Sequence, residues 1–163
     1  MKYILIGKLV NTHGLKGEVR ILSQFKYKDK VFIPGMNIYI GKDKVEEKIV
    51  SYRHHKIFEM IMMDGYNDIN EVIKYKGQYV FVNKDDIKLD KGKYLDEDII
   101  GLNVINKDKE IGLVRKIENH NGNEILVVRG IDRECLIPYN DNFIEKIDLD
   151  NKIMNVKNID GLL

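Results

Sequence analysis

His13-Gly14-Leu15-Lys16-Gly17-Glu18-Val19-Arg20-Ile21 reads as a tight turn feeding a strand, and it sets the reading of the whole first half of the chain. Two glycines three residues apart permit a sharp reversal, and beyond them Val19 and Ile21 fall on one side of an extended strand. The same phase leaves His13 and Lys16 at an exposed tip and turns Arg20 away from the core. Three side chains able to contact phosphates or bases thus stand between residues 13 and 20. A turn that merely joins two strands is the plainer reading of the spacing. A nucleotide-binding loop is excluded, because no Gly-Lys-Ser/Thr and no helix follow it.

Outward from this turn, runs of β-branched and aromatic residues recur with Gly, Asn or Asp between them. Strands are expected over Tyr3–Val10, Glu18–Leu22, Asn37–Ile40, Val45–Tyr52, Ile57–Met63 and Gln78–Val82. One helix is expected over Asn67–Lys76, with Asp68 as its cap, Glu71 completing a capping box, Ile69, Val72 and Ile73 on one face, and Gly77 at its end. Six short strands around one helix suit a closed barrel, which leaves no exposed strand edges. From Asn83 to Lys93 the apolar pattern lapses. Strands then resume over Ile99–Ile105, Ile111–Ile117, Glu124–Val128, Glu134–Ile137 and Ile153–Val156, with Asn- and Asp-rich tight turns between them. The expected fold is all-β: a barrel over residues 1–83, a linker over 84–93 and a second small barrel over 94–163.

Charge divides along the same line. Residues 1–83 hold 14 Lys and Arg against 9 Asp and Glu, and residues 84–163 hold 13 against 17, so the formal +1 of the chain conceals a basic half and an acidic half. A basic face attracts phosphates and an acidic one attracts basic protein. The single cysteine, Cys135, sits in the apolar run Cys135-Leu136-Ile137 and reads as a buried structural thiol in a reducing compartment. The apolar stretch near Met1 is too short for a secretory signal, and no run is long enough to span a membrane. A soluble, cytoplasmic monomer is expected.

Two further clusters carry chemistry. Arg53-His54-His55-Lys56 lies between two strands. Adjacent histidines suggest a metal, yet neighbouring strand residues point to opposite faces and no acid or thiol stands at ligand spacing. A solvated hairpin tip and an RNA contact both fit, the latter because Arg and Lys present donors to phosphates and histidine can stack. Later in the chain, Pro138-Tyr139-Asn140-Asp141 follows a strand, and Tyr139 and Asp141 are candidates for either a partner contact or a turn. Phe143, Ile144 and Ile147 read as core. No nucleophile stands beside an oriented base, and Ser51 near the histidines makes a poor case for a hydrolase.

The string at residues 13–20 resembles the amino-terminal signature of the RimM family of ribosome maturation factors. Glu134 to Pro138, then Ile147-Asp148 and Gly161-Leu162-Leu163, resemble its carboxy-terminal PRC barrel, as do Glu110-Ile111-Gly112 and Gly122 to Val128. Tyr94-Leu95-Asp96-Glu97-Asp98-Ile99-Ile100-Gly101 is similar to a family segment with paired aromatics, although Leu95 replaces the second of them. The resemblance implies a translation-type barrel joined to a PRC barrel, with no catalysis and no cofactor or metal. It further implies assembly of the 30S subunit head through binding of 16S rRNA and the nineteenth small-subunit ribosomal protein (the S19 family). On that basis His13, Lys16, Arg20, Arg53, His54, His55 and Lys56 are the expected RNA contacts. Tyr94, Leu95, Tyr139 and Asp141 are the expected contacts to the ribosomal protein. The alternatives are a PRC-barrel adaptor, an RNA-binding module of another pathway, and a small hydrolase.

Overall fold

The computed structural model describes residues 1–163, and the chain forms two compact units, Met1–Lys91 and Gly92–Leu163. In the first, β1 (Tyr3–His13), β2 (Glu18–Leu22), β3 (Asn37–Ile40), β4 (Val45–His55), β5 (Phe58–Met63) and β6 (Tyr79–Asn83) close into a barrel in the order β1-β2-β5-β4-β3-β6. Alternation fixes which residues point inward. Ile4, Ile6, Leu9, Val19, Ile21, Ile38, Ile40, Ile49, Ile61, Val80 and Val82 are all buried. The ladders of β1 shift register between Leu5 and Gly7 and again between Leu9 and Asn11, irregularities that bend a long strand around a small barrel.

The expected helix is shorter than its sequence pattern. It is α-helical over α1 (Ile69–Val72) and continues as a 3-10 turn over Ile73–Tyr75. The Asp68 carboxylate accepts from Asn70 N at 2.8 Å, while Glu71 reaches back to Asn67 N at 3.0 Å, so the reciprocal cap is present one residue early. Tightening into the 3-10 form turns Tyr75 inward and leaves Ile73 exposed. There the Tyr75 hydroxyl donates to Glu47 at 2.5 Å, and the Tyr66 hydroxyl donates to the same carboxylate. Residues 84–91, within the expected linker, are folded onto the first unit: Lys84 N donates to Lys2 O at 2.9 Å and Lys30 pairs with Asp90.

The second unit is a six-stranded sheet of β7 (Asn103–Asn106), β8 (Lys109–His120), β9 (Asn123–Arg129), β10 (Glu134–Pro138), β11 (Ile144–Asp148) and β12 (Ile153–Val156), in the order β10-β9-β8-β7-β12-β11. All its pairings are antiparallel except β12 with β7. Val104, Val114, Leu126, Val128, Ile137, Met154 and Val156 make one core, against which Phe143, Ile144 and Ile147 pack. Cys135 lies in it, its thiol pushed up by burial. The β8–β9 turn has positive φ at both Asn121 and Gly122, as a two-residue hairpin turn requires.

Two elements differ from expectation. Asp96–Ile99 is a short helix, α2, where the sequence pattern predicts a strand from Ile99, and Ile144–Asp148 is a strand. Three acids in the first turn of α2 favour the helical start, and Gly101 at φ +96° ends it. Pro138 is the last residue of β10, where an edge strand with no further ladder accepts it.

Candidate nucleic-acid interface

The ladder β2-β5-β4 gathers residues that lie far apart in sequence. Arg20 pairs with Met60 and Met60 with Arg53, so both arginines flank one methionine on the side of the sheet away from the barrel interior. His55 lies opposite Phe58 on that same side, and His13 lies opposite Glu18 where β1 meets β2. Arg53 makes a bidentate pair with Glu18, Nε to Oε2 at 2.9 Å and an η nitrogen to Oε1 at 2.8 Å. The Arg20 guanidinium donates to His13 Nδ1 at 2.6 Å and stands 5.5 Å from the Phe58 ring centre. The His13 and His55 rings lie 5.9 Å apart, tilted by 53°.

Electrostatics follow from this placement. The hydrogen bond from Arg53, opposed by burial, holds the Glu18 carboxyl below the usual range, and the same bond holds the Arg53 guanidinium above its own. His55 is pushed down, first by partial burial and then by Arg53, Lys56, His13 and Arg20. Arginine can only donate, so His13 Nδ1 accepts, and the imidazole carries its proton on Nε2.

His54 is separated from this group. It pairs across the ladder with Glu59 on the interior side, and its Nδ1 stands 3.0 Å from a carboxylate that is only 2% exposed. The Tyr52 hydroxyl donates to the same oxygen at 2.7 Å, and burial together with Glu59 pushes that hydroxyl up to about 12. Lys16 is exposed in the turn between β1 and β2, and Lys56 is exposed in the β4–β5 turn at φ +56°. Gly17 is needed where it stands. At φ +95° its backbone takes a conformation that residues with a side chain rarely adopt, and Ile69 N donates to Leu15 O nearby.

In the second unit the expected protein contacts divide. Leu95 is buried, 6% exposed, at the N-cap position of α2. Tyr94 and Tyr139 are half-buried and pack against the core, and Asp141 is exposed. Glu18, Phe58 and Glu59 join the site without a motif that marks them in the sequence. Strand alternation was the available signal for Glu18, which shares its face with Arg20. No three His, Cys, Asp or Glu side chains stand together as a metal site, and no helix is long and apolar enough to cross a membrane.

Residues 4–87 match the RimM N-terminal domain, and residues 96–162 match the RimM PRC barrel domain. The chain belongs to the RimM family. It is similar to a Staphylococcus haemolyticus protein named ribosome maturation factor RimM, 39% identical over 163 residues with 97% of each chain covered. A Bacillus mycoides RimM of the same name is 34% identical over 169 residues, with 99% of each covered. Among solved structures, a Pseudomonas aeruginosa protein described as a putative 16S ribosomal RNA processing protein RimM matches at 22% identity and a TM-score of 0.48, over 96% of this chain and 97% of that one. The RimM N-terminal match spans all six strands of the barrel and so takes in the whole arginine and histidine face.

Proposed function

We propose that this chain is a non-catalytic maturation factor of the small ribosomal subunit, acting in the cytoplasm on the 30S head. Near full-length similarity to curated ribosome maturation factors carries the proposal. The face bearing His13, Arg20, Arg53 and His55, with Lys16 and Lys56 in the adjoining turns, supports 16S rRNA as the ligand of the first unit, because arginines and imidazoles suit phosphate oxygens. Its geometry is pre-set: Arg53 is held by Glu18 and Arg20 by His13, which lowers the entropy cost of presenting them. The second unit holds 10 Lys and Arg against 14 Asp and Glu over residues 92–163, a balance that favours a basic protein over RNA. The ribosomal protein of the S19 family is the proposed partner there, with Tyr94, Tyr139 and Asp141 as contacts. By holding that protein and the head RNA together, the factor would shorten their search for each other.

Affinity purification of the full chain from its host tests this reading. Immature small subunits carrying unprocessed 16S rRNA should co-purify, and chemical footprints should fall in the head. Recovery of mature subunits only, or footprints confined to other regions, would contradict it.

A further inference from the structure

His55 sits among four groups that carry or can carry positive charge: Arg53 on its own strand, Lys56 in the following turn, His13 on β1 and Arg20 on β2. Glu18, whose carboxyl His55 helps to hold down, has both oxygens committed to Arg53. Neither imidazole of the His13–His55 pair hydrogen-bonds an acid. His13 directs its Nδ1 lone pair to Arg20, which leaves its Nε2–H as a free donor beside the His55 ring. The Arg20 Nε is buried with no hydrogen-bond partner. The cluster is therefore rich in donors and short of anionic oxygen, and a phosphate group supplies what is missing.

We infer that His13 and His55 form one phosphate subsite of the RNA face, and that His55 takes up a proton as phosphate binds. The inference rests on the RNA reading above and adds a protonation step to it. In the free protein partial burial, and after it the surrounding cations, disfavour charge on His55, so the neutral ring is the favoured form. A phosphodiester brought beside it reverses the sign of the local field, and the imidazolium becomes the favoured form. The proton comes from solvent, and no bond is made or broken in either partner. The bound state thus holds more protons than the free one, so affinity is greatest at low pH and falls as pH rises through the His55 titration.

Calorimetry of the full chain with a 16S head-domain transcript, at pH 7 in buffers of differing ionisation enthalpy, counts the protons. Uptake of roughly half to one proton is expected, with affinity falling about three- to tenfold between pH 6 and pH 8. His55→Gln should abolish most of the uptake. His55→Arg, a permanent cation, should keep the affinity and lose its pH dependence. Binding of the transcript without proton uptake, or equal uptake by His55→Gln, would overturn the inference and leave the interface standing. Failure of the wild-type chain to bind the transcript at all would remove both. Sulfate, whose charge is constant over this range, separates the sources of anion. A sulfate-induced rise in the His55 titration midpoint by NMR, combined with no uptake on RNA, would mark a free-anion site and overturn the assignment to RNA.

Discussion

Replacing Lys16, Arg53 and Lys56 together by alanine is expected to lower affinity for 16S head RNA about 50- to 100-fold, while the melting temperature stays within about 3 °C of wild type. Lys16 and Lys56 are exposed in turns and Arg53 is half exposed, so little of the fold depends on them. The wild-type log-log salt slope should be about −2 to −4, as for three to five phosphate contacts, and the triple variant should flatten it. Arg20 is the informative contrast. It flanks the fully buried Met60, stacks on Phe58 and has a buried Nε, so Arg20→Ala should lose stability as well as affinity. Filter binding across a salt series, with thermal melts of each variant, decides. A triple variant that binds like wild type would clear these residues from the interface, and one that melts far below wild type would make them structural.

Gly112→Ala should be the most damaging single substitution in the second unit. Gly112 lies on β8 where it meets the end of β9, and an added Cβ would fall 2.6 Å from the Arg129 carbonyl carbon and 2.8 Å from Gly130 N. Backbone cannot swing aside as a side chain can, so β8 and β9 would have to separate. About 3 kcal/mol or more is expected, which in a domain of this size lowers the transition of the second unit by roughly 12 to 24 °C. Gly122→Ala is the control. It also has positive φ, at +90°, but open space around it, and should cost about 1 kcal/mol. Differential scanning calorimetry compares the two, and equal melting temperatures would show that the close approach at Gly112 carries no energetic weight.

Hydrophobic alternation makes much of this fold legible in the sequence. The ends of β2, β3 and β12 coincide with the sequence pattern, because each is a short strand with one face in the core. The arms of β1 to His13 and β4 to His55 run past their apolar residues, since ladder hydrogen bonds sustain them where no core face demands a pattern. The strand Ile144–Asp148 was missed for the opposite reason: its register shifts between Ile144 and Lys146, which breaks the period-two signal. In the candidate site, the turn at 14–17 follows from its two glycines, and the split between His54 and His55 follows from alternation. The bidentate pair of Glu18 with Arg53 does not, because β5 lies between their strands and only the order β2-β5-β4 brings them together. The burial of Leu95 is not legible either, because an apolar residue in a polar stretch reads equally as an anchor or as core.

Cryo-electron microscopy of the full chain bound to immature small subunits from its host tests the central claim most directly. The account predicts that the face formed by His13, Arg20, Arg53 and His55 lies against 16S rRNA of the head, with the two arginines within hydrogen-bonding distance of phosphate oxygens. A bound chain whose arginine and histidine face points to solvent, or only to protein, would contradict it.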